Sequence, residues 1–507
     1  MIDLTKFNEF LRAHAARSAL ELYTEWVVSH GPALWRSSER KTPQRLNEPF
    51  WAEYLSLERL LVWERDERTF LCYNASNGLW EPETAQTIKA RLSDQIEKAD
   101  SQWPDCRGIN RLNTEGGRSA VIELLRGKIE QRDFFVDRPM AIHCQNTMLR
   151  IERGQIIPVP FAAEFRSRNQ LTVAYEPQAA CPRFLGQLLA PAVSAPNIKL
   201  IQKMMGLMLL GKNRPQRIFL LQGEPNTGKT TLGLIVVGLI GRWNYTELRT
   251  EHLDKRFELS RLIGKTLVFG PDVESNFLQT KGAHRLKSIV GGDPMDGERK
   301  NSNANFQFRG DHNALITSNS RLLVRLKGDF GAWMRRLIII DFTGNGPTQR
   351  IDGFAEVLLS EEGSGILHWG LSGLVEYEKD HLKRGDIILS EEQKARVSGL
   401  LTESDGLRKF LQSEIVVSGD GDDMTELEIA KGFADYARTK KWQPKPLTAI
   451  RSDIEDLMLE LFSIAQSRSI KRIDEDAPSV AGQEPRTKNQ RGYRGIRLRK
   501  EDENDPD

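Results

Sequence analysis

The stretch Arg217-Ile-Phe-Leu-Leu-Gln-Gly-Glu-Pro-Asn-Thr-Gly-Lys-Thr230 decides the fold. An apolar strand pattern ends at Gln222, residues 223–230 match G-x-x-x-x-G-K-[ST] without a gap, and a helical pattern begins at Thr230. The glycines of such a loop let backbone N–H groups turn inward around phosphates. The sequence therefore predicts a strand, a phosphate-binding loop and a helix in succession.

Each polar residue of this loop has a predicted role. Lys229 is expected to reach the β- and γ-phosphates of ATP, and the Thr230 hydroxyl to bind Mg²⁺. The alternative is a glycine-rich turn that binds nothing, which the flanking strand and helix patterns disfavour. The predicted nucleotide-binding residues are Gly223, Glu224, Pro225, Asn226, Thr227, Gly228, Lys229, Thr230 and Thr231.

Three further apolar segments follow the loop, at residues 266–269, 314–317 and 337–342. Helical patterns lie between some of them, as at residues 230–240. Strands that alternate with helices favour a mainly parallel sheet covered by helices. The predicted fold class of this region is therefore α/β.

Polar residues follow two of these strands. Asp272 and Glu274 come just after residues 267–269, and we predict that Asp272 holds Mg²⁺ and that Glu274 is the general base. Asn319 ends the strand at 314–317 and is predicted to orient water or contact the γ-phosphate. The alternatives are an acidic turn and an ordinary turn asparagine.

An arginine pair precedes the last strand. Arg335 and Arg336 stand directly before residues 337–342. An arginine there can reach the nucleotide of a neighbouring subunit and stabilise charge that develops during hydrolysis. A surface arginine pair beside a strand is the alternative. Of the two, we prefer Arg336 for the catalytic role.

Together these segments resemble superfamily 3 helicases, which are AAA+ ATPases, and in particular the helicase part of poxvirus-type and phage or plasmid primase–helicases. The resemblance rests on residues 223–231, 267–274, 286–300, 314–319 and 333–342. It departs from the family at Gly270-Pro271, where family members often run apolar residues straight into the acids. A primase domain is not apparent in the sequence.

The resemblance implies further roles. Arg299 and Lys300 would lie on a β-hairpin that contacts the DNA backbone inside a ring, and Lys287 would face the neighbouring nucleotide. Asn319 would be the sensor and Arg336 the finger. Their chemistry agrees with this, because a short cationic tip suits phosphate contact without base reading. A solvated turn is the alternative for the tip.

The resemblance and the sequence pattern divide the chain into five parts. They are an N-terminal helical segment (1–55), a mixed α+β accessory domain of the primase–helicase type (56–195), the AAA+ P-loop ATPase domain with its parallel sheet (196–380), a helical and winged-helix-like DNA-binding domain (381–500), and a disordered tail (501–507). Residues 191–197 read as a linker. Residues 62–81 read as a short β-meander, residues 141–158 as a small β-region and residues 426–439 as an amphipathic helix. Residues 469–473 and 495–498 read as two wing strands.

The predicted wing is basic. Arg494 and Arg497 lie near Tyr493 in a cationic run at 488–500, a composition that suits contact with duplex phosphates. A solvated terminal hairpin is the alternative.

Composition is that of an ordinary globular protein. The 507 residues are 39% hydrophobic and 28% charged, with a net charge of +2. No apolar run reaches the roughly 18 residues of a membrane span, so we expect no membrane partner and a cytoplasmic, nucleoid-associated protein. The four cysteines form no CxxC pair, which gives a structural zinc site little support.

The sequence therefore predicts an ATP-dependent ring helicase that unwinds DNA for a phage, plasmid or other mobile element. Expected partners are single-stranded DNA in the pore, duplex DNA at the fork, further copies in a hexamer, and a separate primase or replication protein. A remodelling or initiator ATPase that melts origins or serves defence, without processive unwinding, is the alternative. An RNA-unwinding relative is disfavoured.

Overall fold

The computed structural model describes residues 19–39, 42–136, 138–274, 277–298, 305–319, 322, 324, 330–344, 351–404, 406–419, 421–440, 442, 444–473 and 487–500. The chain divides into two compact units. The larger unit comprises Met1–Asp272, Ser288–Thr317 and Ile340–Ile388, and the smaller unit comprises Val273–Lys287, Ser318–Ile339 and Leu389–Asp507. Most of the predicted accessory domain and most of the predicted ATPase domain thus lie in the larger unit.

The larger unit begins with helices and a small sheet. Its elements are α1 (Ala19–His30), β1 (Leu34–Arg36), β2 (Pro43–Leu46), α2 (Glu48–Glu58), β3 (Leu61–Glu64), β4 (Thr69–Asn74), β5 (Leu79–Glu83), α3 (Ala85–Gln102), α4 (Glu115–Lys128) and β6 (Glu130–Gln131). The sheet order is β5-β4-β3-β6, with antiparallel β3–β4 and β4–β5 pairs. The predicted meander is confirmed.

Local sequence explains why these helices start where they do. Asn47 caps α2 by accepting a hydrogen bond from the Phe50 backbone N–H, and Thr84 and Thr114 cap α3 and α4 in the same way. The helices pack around stacked aromatic rings, with the Tyr23 and Trp103 centroids 4.3 Å apart. Large aromatic side chains supply much of the apolar area that such a core buries.

A second small sheet continues the accessory region. Its strands are β7 (Ala141–His143), β8 (Met148–Glu152) and β9 (Gln155–Val159), all paired antiparallel. Arg153 and Gly154 both have positive φ between β8 and β9, as a two-residue hairpin turn requires. The β-region predicted around residues 141–158 is confirmed.

The predicted linker at 191–197 is wrong. Ala192 and Val193 are buried, the Gly344 backbone N–H donates to the Ala192 carbonyl at 3.1 Å, and helix α5 (Ala195–Leu210) already begins at Ala195. Pro196 misled the prediction because proline, which breaks helix interiors, is well tolerated in a first helical turn.

The central sheet of the larger unit has five strands. They are β10 (Ile218–Gly223), β11 (Tyr245–Glu247), β12 (Leu267–Gly270), β15 (Asn313–Ser318) and β16 (Leu337–Phe342), in the order β11-β12-β15-β10-β16. The β11–β12 and β12–β15 pairs are parallel. Between β12 and β15 the chain forms α7 (Lys281–Gly291) and the antiparallel hairpin of β13 (Pro294–Glu298) and β14 (Asn305–Arg309). The α/β prediction is confirmed.

Helices cover this sheet. Helix α6 (Lys229–Ile240) follows β10, and α8 (Phe330–Arg336) precedes β16. The long α9 (Phe354–Arg384) packs so closely on α5 that a Cβ on Gly373 would overlap the Gln202 carbonyl. An ion pair of 2.5 Å between Lys203 and Asp380 fastens the same two helices. Strands β10, β12, β15 and β16 are almost fully buried and therefore appear in the sequence as continuous apolar runs.

The C-terminal part of the smaller unit combines helices with short strands. Its elements are α10 (Glu391–Ser404), α11 (Gly406–Glu414), β17 (Ile415–Val417), β18 (Asp423–Thr425), α12 (Glu426–Thr439), α13 (Leu447–Phe462), β19 (Ser467–Ile473), β20 (Thr487–Arg494) and β21 (Ile496–Leu498). Thr425 and Glu428 form a reciprocal capping box at the start of α12. None of the described helices is long and apolar enough to span a membrane.

Both predicted wing segments are strands, β19 and β21, but they do not pair with each other. Strand β19 pairs with β20, whereas β21 pairs with β17 in a separate two-stranded sheet. Strand β20 has the sequence TKNQRGYR, which lacks the apolar alternation that marks a half-buried strand. The predicted tail at 501–507 lies outside the described residues.

Candidate nucleotide-binding site

The phosphate loop connects β10 to α6 in the predicted strand–loop–helix arrangement. Asn226 and Gly228 have left-handed backbones, with φ of +65° and +91°. Glycine and asparagine adopt this conformation most readily. Gly223 is required for a different reason, because a Cβ there would overlap the Phe342 carbonyl of neighbouring β16. The loop backbone is thus held close against the sheet.

Lys229 lies within the curve of its own loop. Its side chain is 3% exposed, and Nζ donates to the Glu224 carbonyl at 2.6 Å and to the Thr227 hydroxyl at 3.2 Å. Burial lowers the pKa of the Lys229 amine, while the charges of Asp272 and Glu224 oppose that shift. A cation already placed inside the loop is suited to binding a polyphosphate.

The N-terminus of α6 adds to the positive potential. The helix begins at Lys229, so the unpaired N–H groups of its first turn lie at the phosphate loop. Thr230 is exposed at this end and Thr231 is half-buried. The Thr230 hydroxyl is therefore open to a metal ion or a ligand.

The acidic turn is fastened to the end of β15. Strands β12 and β15 run in parallel register, with Gly270 beside Ile316. Beyond Gly270, the Asp272 backbone N–H donates to the Thr317 hydroxyl at 2.9 Å, and Asp272 itself has a φ of +48°. Aspartate tolerates this left-handed conformation better than most residues. Its exposed carboxylate acts electrostatically on Lys229.

Thr317, which was predicted only as part of a strand, positions the acidic turn. Its side chain is 1% exposed and fixes the backbone of the predicted magnesium ligand. The neighbouring Ser318 hydroxyl donates to the Val273 carbonyl at 2.8 Å, within the smaller unit. Two hydroxyl residues in succession at the end of an otherwise apolar strand were the available signal.

Other predicted site residues belong to the smaller unit. Glu274 and Asn319 have exposed side chains, and they follow the acidic turn and β15 in the chain. Arg335 is exposed, whereas Arg336 is 9% exposed and donates from Nη1 to the Ala332 carbonyl at 3.3 Å. Lys287 lies over the Trp333 ring, with Nζ 5.2 Å from its centroid.

The predicted nucleic-acid contacts are dispersed. Arg299 and Lys300 lie outside the described residues and come between β13 and β14 in the chain. Arg494 is exposed on β20 and donates to the Ser469 hydroxyl at 2.9 Å. Arg497 is half-buried on β21 with Asp422 3.7 Å away, so the two arginines belong to different sheets.

Part of the chain matches the sequence model of a known protein family. Residues 221–336 match DUF5906, a family of unknown function. No curated protein sequence matches the chain. Among solved structures, the apo C-terminal region of NrS-1 is similar at 12% identity and a TM-score of 0.46, covering 88% of this chain and 98% of that one. An A-form apo structure of the same region is similar at 13% identity and a TM-score of 0.44. Likeness at this level does not extend to function.

The family match covers the residues that build the site. It begins within β10 and ends at Arg336, so the phosphate loop, Asp272, Thr317 and the arginine pair all lie inside it. The accessory region and the C-terminal helices lie outside it.

The C-terminal part of the smaller unit has two surfaces of opposite charge, a basic β-hairpin and an acidic helix. The β19–β20 hairpin exposes Arg468 and Lys471 on one strand and Arg491 and Arg494 on the other. Helix α13 exposes acidic side chains instead, namely Glu455, Asp456 and Glu460. Arg451 of the same helix is paired with Glu426 at 2.9 Å. The exposed arginine and lysine side chains of the hairpin form a cationic surface that suits phosphates.

Proposed function

We propose that this chain is an ATP-hydrolysing motor with an AAA+ core of the superfamily 3 helicase type. One observation carries the proposal. The Lys229 amine lies inside a phosphate loop that joins a buried strand to a helix, and the Asp272 carboxylate acts on it from the neighbouring acidic turn. Strand β15 lies between β10 and β12, and its chain continues to Asn319.

The residues suit a nucleoside triphosphate with magnesium. Thr230 and Asp272 both expose oxygen atoms, the ligand type that Mg²⁺ prefers, and they would hold the ion. When bound, the ion neutralises charge on the phosphate oxygens. When the phosphates bind, Lys229 Nζ gives up its hydrogen bonds to the Glu224 carbonyl and the Thr227 hydroxyl and donates to phosphate oxygens instead.

Two further residues would serve hydrolysis. Glu274 accepts the proton of the attacking water, and Asn319 orients that water or contacts the γ-phosphate. An arginine of the 335–336 pair approaches the nucleotide of the next subunit. A finger supplied in trans makes hydrolysis depend on assembly, which supports a closed ring, with six subunits as the expected number.

DNA engagement uses two surfaces. Residues 299–304 connect β13 to β14 and include Arg299 and Lys300, which contact the backbone of one strand in the pore. The β19–β20 hairpin, including Arg494, contacts duplex phosphates, with Arg497 in a lesser role. The acidic face of α13 disfavours insertion of that helix into a DNA groove, because phosphates repel it.

The deciding experiment combines ATP hydrolysis with unwinding of forked DNA. Lys229→Ala is expected to lower hydrolysis at least 100-fold, because the phosphates lose their cation. Lys300→Ala is expected to keep hydrolysis and lose unwinding. Lys379→Ala, at an exposed position on α9, is the matched control and should retain both activities.

Other outcomes assign a different function. If wild type hydrolyses ATP and separates no DNA or RNA fork, the helicase proposal is wrong and a remodelling or initiator ATPase replaces it. If Asp272→Asn spares both DNA binding and biological function, the nucleotide acts only as a structural switch.

A further inference from the structure

A cavity lies in the larger unit. It has a volume of about 340 Å³ and is lined on one side by the accessory region and on the other by segments of the ATPase core. None of residues 223–231 lines it. The lining residues that matter chemically are Glu64, Arg138, His143, Arg168, Gln170 and His312.

Two buried histidines present unpaired acceptors at this cavity. His143 Nε2 lies 2.8 Å from the Asn77 carbonyl, and His312 Nε2 lies 3.0 Å from the Leu262 carbonyl. A carbonyl oxygen only accepts, so both Nε2 atoms carry the proton and both Nδ1 atoms hold a free lone pair. Neither Nδ1 has a partner among the described residues. Burial lowers the pKa of His143 to about 4 and also lowers that of His312.

Two more lining residues carry buried atoms without partners in the described part of the chain. They are Gln170 Oε1 and Glu64 Oε2, and the Glu64 side chain is 3% exposed. A buried polar atom left unpaired costs about 1–3 kcal/mol. Four such atoms on residues around one cavity therefore favour an occupant that donates hydrogen bonds.

Two arginines also line the cavity, and they differ in their hydrogen-bond partners. Arg168 is fixed by Glu67 through hydrogen bonds of 2.5 and 3.2 Å and lies 3.7 Å over the Phe135 ring. Arg138 forms no hydrogen bond or ion pair with a described residue. The Arg138 side chain is exposed, the neighbouring charge of Arg168 repels its guanidinium, and the charge of Asp311 attracts it. An anion placed here would relieve the repulsion between the two arginines.

A metal ion is not the fitting occupant. No three His, Cys, Asp or Glu side chains are grouped to hold a metal anywhere in the described ranges. The site instead offers acceptors for N–H or O–H groups, a guanidinium for an anion, and the ring of Phe308 in the lining. A volume near 340 Å³ is within the usual range of small-molecule sites, about 300–1,000 Å³.

We propose that this cavity binds a nucleoside monophosphate, independently of the phosphate loop. Arg138 pairs with the phosphate. The Nδ1 atoms of His143 and His312 and the Gln170 oxygen accept hydrogen bonds from the base or sugar. Because the cavity joins accessory and core segments of one unit, the bound nucleotide would bridge them.

The proposal is tested by calorimetric titration with the four ribonucleoside and four deoxyribonucleoside 5′-monophosphates. Nucleosides and inorganic phosphate serve as comparison ligands. At least one monophosphate is expected to bind to wild type, and Arg138→Ala is expected to weaken it at least tenfold. Arg132→Ala, an exposed arginine outside the lining, is the matched control and should bind normally. Lys229→Ala should also bind normally.

Four results would overturn it. No monophosphate binds at millimolar concentration, or Lys229→Ala abolishes binding while Arg138→Ala does not, which places the ligand at the phosphate loop. Inorganic phosphate binds as tightly as every monophosphate, which leaves only an anion site. Arg138→Ala weakens the binding of oligonucleotides but not of monophosphates, which makes the cavity a contact for nucleic acid.

Discussion

The two units hold their candidate functional groups in opposite ways. In the larger unit Lys229 and Thr317 are almost completely buried and are fixed by neighbouring backbone or side-chain groups. In the smaller unit Glu274, Asn319 and Arg335 are exposed. Burial fixes geometry in advance, which suits phosphate binding, whereas exposure suits groups that meet another subunit or DNA. The buried Arg336 of the smaller unit and the exposed Thr230 and Asp272 of the larger unit do not fit this division.

Alanine variants of Arg335 and Arg336 test this division most directly, and they are expected to have the largest effect on ATP hydrolysis. Whichever arginine serves the neighbouring nucleotide, its alanine variant is expected to lower ATP hydrolysis at least 100-fold. Arg335 fits by exposure, whereas Arg336 was preferred from the sequence. Arg336→Ala should in addition lower the melting temperature, because it removes a buried side chain.

A mixing experiment separates a finger in trans from a structural arginine. The inactive arginine variant is combined with Lys229→Ala, and mixed rings then contain interfaces with an intact phosphate loop on one side and an intact arginine on the other. Hydrolysis should reappear on mixing. If neither arginine variant regains activity with Lys229→Ala while both assemble, the finger assignment is wrong for the pair.

Sequence could predict the phosphate site because its signals are local. The loop motif lies between one apolar strand and one helix, and the observed bounds of β16 and α12 agree with the predicted segments at 337–342 and 426–439. Thr317 was missed as the partner of Asp272 because that bond joins residues far apart in the chain. The cavity at Glu64 and His312 was missed for the same reason.

The sequence also failed to predict the strands that consist of polar residues. Strand β11 (Tyr245–Glu247) is too short for a pattern to emerge, and β20 presents a run of polar residues. A period of two is visible in sequence only when one face of a strand is apolar. The basic run at 488–500 was therefore predicted from its charge, but most of it was not predicted as a strand.

Glu64 tests whether burial in the larger unit makes an ionisable group sensitive to pH. Burial, with the charges of Asp66, Glu67 and Asp133, raises the pKa of this carboxyl from 4.5 to about 7. Between those values the folded chain binds more protons than the unfolded chain, so this carboxyl lowers the free energy of unfolding as pH rises. The effect at pH 8 is at most about 3 kcal/mol.

Glu64→Gln removes that titration. The variant is expected to be more stable than wild type at pH 8 and to differ much less at pH 5, as measured by urea unfolding. His143 titrates with the opposite sign below pH 6.5, but it is present in both proteins and cancels in the comparison. Glu97→Gln, exposed on α3, should change little at either pH. An equal shift at both pH values would contradict the assignment.

The smallest expected effect concerns the exposed hairpin of the smaller unit. Arg491→Ala and Arg494→Ala are each expected to weaken duplex binding by about 1 kcal/mol and to lower the slope of log affinity against log salt by about one. Arg451→Ala is the matched control, since this arginine lies on the acidic helix α13 and is paired with Glu426. If Arg451→Ala lowers the salt slope as much as Arg494→Ala, then DNA lies along α13. In that case the acidic residues Glu455 and Asp456 must face away from the phosphates, and charge on the hairpin would not locate the binding surface.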